Sequence, residues 1–248
     1  MSSRSEKIGD VSLTFNPDGH VYRVRRPEAG KDPAAWQVVS SVTQILAALY
    51  PPPPISRERL ADLAEIGTAA HAGAEAVVCA SISAGGWIEP DEITDTVEAL
   101  VALGVVQRSL LSAALAGANR LVRTARILDW EPLETERMVF SHRYWYAGRC
   151  DLIVRNRKGR RVLVDIKSGS AISKRDEAQV GGYALACREP ENPDIDDVAV
   201  LYLKIRRAAN PRLYEIPRER AEERFTAVLQ AYEIDRALSF DGPNYEEV

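Results

Sequence analysis

Two apolar, β-rich runs at residues 144–154 and 162–166 flank a charged tip at 155–161, in which Gly159 supplies the freedom to turn. The stretch is therefore expected to be a β-hairpin. Asp151 and Asp165 are equidistant from Lys158, so a short turn there sets them opposite one another on antiparallel strands, with their side chains on one face. Lys167, two residues further on, shares that face. Opposed carboxylates repel and destabilise a hairpin unless a cation lies between them. Hard divalent cations take carboxylate, carbonyl and water oxygens. Asp151 and Asp165 are thus a candidate metal site to which Ile166 lends its backbone carbonyl. Lys167 can orient a water or stabilise charge developing on a phosphate. The plainer alternative is a structural salt bridge between these carboxylates and Lys167.

After the hairpin, Ser173-Lys174-Arg175-Asp176 has the form of a capping box, and a helix is expected from about Lys174 to Cys187. Gln179 and Tyr183 are one turn apart on it and share a face. Gly181 and Gly182 each cost about 1 kcal/mol relative to alanine inside a helix, which points to close backbone approach to the sheet or the substrate.

Upstream, residues 11–15 and 20–25 alternate around Asn16-Pro17-Asp18-Gly19 and predict an N-terminal hairpin, a lid or an edge. Residues 37–46 predict a short strand leading into a helix. The prolines at 51–54 form a stiff spacer, after which Ser56 caps a long alanine-rich helix running to about Ala80. On it Leu60, Ala64, Gly67, His71, Glu75 and Val78 fall along one stripe. By itself His71 would be a satisfied core histidine, and Glu75 could support it by a hydrogen bond. Beyond the break at Ala84-Gly85-Gly86, helices are expected at 91–103 and 105–127. Arg120, Arg123 and Arg126 form either a phosphate-facing ridge or a solvated stripe. Residues 132–140, carrying Glu136, predict a strand that pairs with 144–154 across a turn at Ser141-His142-Arg143. Strands at 198–205 and 212–216 and a helix at 217–238, packed through Phe225, Val228, Leu229 and Tyr232, complete the chain.

The series Gly148-x-x-Asp151, Asp165-Ile166-Lys167 and Gln179-x-x-x-Tyr183, preceded by Gly67-Thr68-Ala69-Ala70-His71, resembles the PD-(D/E)XK nuclease superfamily. More narrowly it resembles the RecB-like branch, which includes stand-alone phage exonucleases and CRISPR-associated nucleases. The resemblance implies an α/β, restriction-endonuclease-like core, a central mixed β-sheet flanked by helices, to which this chain adds an N-terminal hairpin and a helical elaboration. It implies a Mg²⁺- or Mn²⁺-dependent deoxyribonuclease, with the exonuclease of phage-type recombination or DNA end processing as the subtype. Asp151, Asp165 and the Ile166 carbonyl would hold the metal, His71 would complete its shell or hold the scissile phosphate, and Lys167 would act on the attacking water. Gln179 and Tyr183 would position the DNA backbone or brace the catalytic strands, and Glu136 could join the acids. Lys204, Arg206 and Arg207, in a region that borders the substrate cleft in that family, would contact DNA. The competing reading is a catalytically silent nucleic-acid-binding or partner-binding protein that keeps the fold; a hydrolase of small phosphoesters is a second.

Composition fits a single domain spanning 1–248, with a hairpin and linker at 1–55, a helical region at 56–128 and a catalytic core at 129–248. With 46% hydrophobic residues among 248, such a chain can bury a full core. The formal net charge of −4 argues against broad coating of nucleic acid but permits a local basic channel. Cys79, Cys150 and Cys187 suit reduced thiols, and the four-cysteine iron–sulfur cluster of some CRISPR-associated relatives is not expected. The polar first ten residues lack a signal region and no run reaches the length of a membrane span, so a cytoplasmic location is expected, the host cytoplasm for a phage-encoded protein. A recombination partner protein fits this reading, and no feature selects an oligomeric state.

Overall fold

The computed structural model describes residues 4–17, 19–26, 35–51, 56–169, 171–206 and 209–240. The expected proline spacer at 52–54, Arg207 and the acidic tail at 241–248 lie outside the described residues.

Four strands open the chain as an antiparallel meander: β1 (Arg4–Ile8), β2 (Val11–Asn16), β3 (Val21–Arg25) and β4 (Gln37–Ser41). In β2, Val11, Leu13 and Phe15 are buried and alternate with half-buried polar residues, as a strand with one face on a core requires. β1 was not foreseen. Only its Ile8 is buried, and its charged residues are those of an edge strand that exists by pairing with β2. β4 passes directly into α1 (Val42–Ala47), where Ser41 and Gln44 close a capping box.

β5 (Glu131–Ser141), β6 (Tyr146–Arg155) and β7 (Arg161–Lys167) are antiparallel; β8 (Asp197–Tyr202) runs parallel to β7, and β9 (Arg212–Ile216) closes that edge. β6 is the pivot. β5 pairs along its whole length, so two strands must share its other edge: β4 at Ser40–Tyr146 and Ser41–Ala147, and β7 from Leu152–Val164 to Arg155–Arg161. Between them, residues 148–151 have no strand partner on that side among the described residues. The sheet is forked there. The meander meanwhile curls back until Glu6 of β1 pairs with Arg137 of β5 at 3.6 Å, enclosing Leu13, Phe15, Tyr22, Val24, Met138 and Phe140.

Helices cover both faces, as expected. α2 (Arg57–Ala84) and α4 (Leu111–Ile127) pack over Leu152, Val154, Val164 and Ile166, with α3 (Pro90–Ala102) behind them. α1, α5 (Lys174–Ala186) and α6 (Arg218–Phe240) pack over Ile153, Leu163, Val198 and Val200. α6 buries Phe225, Val228 and Leu229 as anticipated.

Several expectations are corrected. Tyr144 and Trp145 belong to the turn after β5 rather than to a strand: Ser141 Oγ accepts from Tyr144 N at 3.0 Å, Glu189 accepts from His142 N at 2.7 Å, and Trp145 sits at φ 54°. The helix expected from 105 begins at Leu111, because Val105 and Val106 turn back to the Leu100 carbonyl. Gly181 and Gly182 admit neither sheet nor substrate. A Cβ on Gly181 would stand 1.9 Å from the Ala221 carbonyl oxygen, and one on Gly182 would meet the Phe225 ring, so both permit close packing of α5 on α6. Arg123 and Arg126 of the arginine stripe are exposed, as a solvated face requires, but Arg120 is half-buried and turned to the chain itself. Arg120 donates to the Leu203 carbonyl at 2.6 Å and to that of Lys204, and Arg126 holds Glu89 and the Ile88 carbonyl.

Candidate active site

The fork in the sheet gathers the motif residues. By count Asp151 and Asp165 would form the next rung after Leu152–Val164, but the ladder stops there. The strands part, and Asp151 Oδ2 accepts from the Ile166 backbone N–H at 2.7 Å in place of a main-chain carbonyl. The expected pairing on one face of a regular hairpin is corrected accordingly. Along β6, Cys150 lies in the α5–α6 core and Leu152 in the α2–α4 core, so the in–out alternation breaks at Asp151. In an extended strand a residue's N–H and C=O leave by the same edge. The Ile166 carbonyl therefore faces the fork too, while its side chain is buried beneath the helices.

β7 aims Asp165 and Lys167 to the α5 side. Asp165 is fully buried, and Lys167 Nζ lies 2.8 Å from its Oδ2. Lys167 Nζ also donates to Gln179 Oε1 at 2.9 Å, and Gln179 Nε2 donates to the Tyr183 hydroxyl at 2.9 Å. The four side chains thus make one continuous chain from the sheet into α5. Ser173 fixes where that helix starts, its hydroxyl accepting from Asp176 N while the Asp176 carboxylate accepts from Ser173 N. Tyr202 of β8 also donates to Asp176. Gly148 makes room for Tyr183: a Cβ there would stand 2.6 Å from the ring.

Across the fork, α2 brings His71 Nδ1 to 3.9 Å from Asp151 Oδ2, with about a third of the imidazole exposed (34%). Glu75, one turn on, does not support His71; it pairs with Arg4 of β1. Glu136 faces Asp151 across β5–β6, between the rungs Thr135–Leu152 and Arg137–Cys150. Its backbone is left-handed at φ 51°, and Thr135 Oγ1 donates to the Asp151 carbonyl at 2.9 Å. Glu136 is buried and bound by Arg149 Nε at 2.6 Å. Arg149, which also stacks 4.6 Å over the Phe15 ring, is a site neighbour that the sequence did not reveal. The signal available was its position two residues before Asp151, on the same side of the strand.

Electrostatics follow from this crowding. Burial, and then the charge of Asp151, push Asp165 up to about 7 against the pull of Lys167. Burial, and then Asp151, push Glu136 up to about 8 against Arg149. For Lys167, burial pulls downward, but Asp165 and Asp151 together outweigh it and leave the ammonium raised. Asp165 and Glu136, on the strands either side of Asp151, are thus raised by the same cause: too much negative charge in too little water.

That is the condition a divalent cation relieves. The donors at the fork are carboxylate oxygens, the Ile166 carbonyl and one imidazole, an oxygen-rich set that suits a divalent cation. Apart from the Lys167 contact, neither Asp165 oxygen has a hydrogen-bond partner among the described residues. No three His, Cys, Asp or Glu side chains converge as ready-made ligands among those residues, so carbonyl and water oxygens are needed to complete a shell.

Lys204 and Arg206 follow β8 and line a half-open cleft of about 510 Å³ beside Ser168 and Gly169, immediately beyond Lys167. Among the described residues no helix is long and apolar enough to cross a membrane.

The family model of the PD-(D/E)XK nuclease superfamily matches residues 42–246. No curated protein matches the sequence. Solved chains match as well, among them one described as "Crystal structure of SSO0001", 16% identical over 68% of this chain and 74% of that chain, with a TM-score of 0.29.

Proposed function

This chain belongs to the PD-(D/E)XK nuclease superfamily, and from that membership we propose that it is a Mg²⁺- or Mn²⁺-dependent deoxyribonuclease of the RecB-like branch, an exonuclease of phage-type recombination or DNA end processing. The observation that carries the reading is the fork. One buried carboxylate, Asp165, is bound to a lysine that α5 holds in place, and a second, Asp151, is held at the neighbouring Ile166 N–H with His71 alongside.

Asp151, Asp165, the Ile166 carbonyl and His71 would hold the cation. When bound, a divalent cation there would supply Lewis-acid polarisation of a phosphodiester oxygen and a more acidic water. The side chains do the rest. Lys167, kept cationic by Asp165 and Asp151, presents N–H donors to the attacking water or to a non-bridging phosphate oxygen, where negative charge grows. Gln179 and Tyr183 fix the direction of that ammonium, so they are positioning residues. Lys204, Arg206 and Arg207 would contact the DNA backbone, supplying a local basic surface on a chain of net charge −4.

The test is cleavage of end-labelled linear duplex beside covalently closed circular DNA, with Mg²⁺, Mn²⁺ or EDTA, comparing wild type with Lys167→Ala. Metal- and lysine-dependent loss of the linear DNA alone is expected. Cutting of the circle would replace the exonuclease reading with an endonuclease one, and no cleavage of either would sink the nuclease.

A further inference from the structure

The cleft beyond Lys167 has two walls, only one of which carries residues of the expected DNA-contact set. Lys204 and Arg206 form the first. The second is the N-terminal part of α2, which contributes Arg59 and Ile66, with Ser168 and Gly169 at the floor. Among the described residues Arg59, Lys204 and Arg206 have no carboxylate partner, whereas most arginines of the catalytic half are tied in ion pairs. Three cations left facing one cleft imply an anion from outside.

The walls are fixed in place, not merely adjacent. Leu203 N donates to the Lys167 carbonyl at 2.8 Å, Lys204 N to that of Gly169 at 3.1 Å, and Ile205 N to that of Ser168 at 3.1 Å. Arg120 fastens the Leu203 and Lys204 carbonyls from behind. These bonds hold Lys204 at φ 54°, a left-handed backbone that a lysine does not choose freely. On the opposite wall, α2 packs on the floor through Gly67, whose absent Cβ would stand 3.1 Å from Ser168 Oγ.

We infer that this cleft is a phosphate track, in which Arg59 on one wall and Lys204 and Arg206 on the other grip the DNA backbone away from the scissile bond, with the Ser168 hydroxyl donating to the same run of phosphates. The inference rests on the nuclease reading for its ligand and extends it in range. Arg59 precedes His71 by twelve positions on one helix, about 18 Å at 1.5 Å per residue. At about 3.4 Å rise per nucleotide, Arg59 meets the backbone roughly five nucleotides from the cut. Glu58, Asp62 and Glu65 line the adjoining cleft, whose wall Arg59 and Arg206 share, so the two arginines stand between the acids and the track and mark where it ends.

The experiment measures binding in EDTA, apart from cleavage: fluorescence anisotropy of a labelled duplex over a salt titration, for wild type, Arg59→Gln, Lys204→Gln and Arg57→Gln. Arg57 lies on the same exposed end of α2 but does not line the cleft. Arg59→Gln and Lys204→Gln should each flatten the log–log salt slope by about 0.9, the loss of one phosphate contact, while Arg57→Gln keeps the wild-type slope. Equal slopes for wild type and Arg59→Gln, or an equal loss in Arg57→Gln, would overturn the track. Arg59-dependent binding by a wild-type protein that cleaves nothing when Mg²⁺ is restored would support the track and overturn only the nuclease reading.

Discussion

Lys167 Nζ lies 2.8 Å from Asp165 Oδ2, and this lysine is the one cation that offsets the burial of Asp165 among the described residues. Without metal, Asp165 is pushed up to about 7, above its ordinary 3.8, by burial first and Asp151 as a further cause. A folded-state value above the unfolded one means that the native protein holds this proton more tightly. The associated stability is complete below about pH 4 and is lost as pH rises through about 7. Asp165→Asn abolishes that dependence. In EDTA its melting temperature, whatever its offset at about pH 5, should gain on wild type by the equivalent of about 2–4 kcal/mol by about pH 8. Mg²⁺ should raise the wild-type melting temperature and leave that of Asp165→Asn unmoved. Parallel pH curves for the two proteins would show that Asp165 is not under this strain.

Gly148 and Tyr183 fit together without slack. A Cβ at 148 would stand 2.6 Å from the Tyr183 ring and 3.1 Å from Val42. Gly148→Ala should therefore push Tyr183 off Gln179, cost about 1–3 kcal/mol in stability and lower cleavage by at least about tenfold through the displaced Lys167 donor. Adding Tyr183→Leu should restore stability, read by thermal melts, without restoring cleavage. If Gly148→Ala alone is as stable and active as wild type, the glycine has no such role.

Much of this was legible beforehand because hairpin arithmetic and helix spacing are local. Register about Lys158, the capping box at Ser173 and the one-turn spacing of Gln179 and Tyr183 follow from neighbours in sequence. The fork was not legible. It depends on β4 and β7 competing for one edge of β6, a relation among residues 40, 146 and 164 that no local pattern carries. The same holds for β1, which contributes little hydrophobic pattern and exists by pairing, and for Arg120, whose place in a charge stripe gave no sign that it reaches a loop eighty-three residues away. Glu136 was visible as an acid near the site, but its left-handed backbone and its tie to Arg149 were not.

His71 stands 3.9 Å from Asp151 and remains partly exposed, so its removal should not disturb the core. As a ligand or close neighbour of the cation it should matter to metal occupancy. His71→Ala is expected to weaken the apparent Mg²⁺ affinity in cleavage by about 10- to 100-fold with little change in melting temperature in EDTA. Isothermal titration with Mn²⁺ checks the same shift without turnover. An unchanged metal titration would remove His71 from the site.

Arg149 and Glu136 present the opposite case, a buried carboxylate whose half-buried partner cannot be removed cheaply. Glu136 is pushed up to about 8 from 4.5 by burial, and then by Asp151, while Arg149 at 2.6 Å pulls it down. Its value is raised, so its contribution to stability is present below about pH 4.5 and is lost as pH rises through about 8. Removing Arg149 takes away the one strong pull downward and drives Glu136 higher still. The penalty of Arg149→Gln should therefore grow above about pH 8, reaching about 3 kcal/mol, as expected for a buried charge left without its partner. Arg149→Gln with Glu136→Gln removes both charges and should recover most of that loss at alkaline pH, since two neutral groups can share a hydrogen bond where one carboxylate could not be solvated. Chemical denaturation of the four proteins at about pH 6 and pH 9 completes the cycle. A coupling that stays the same at both values would mean that Glu136 is ionised throughout, and that the crowding of carboxylates at the fork is relieved by solvent rather than by Arg149.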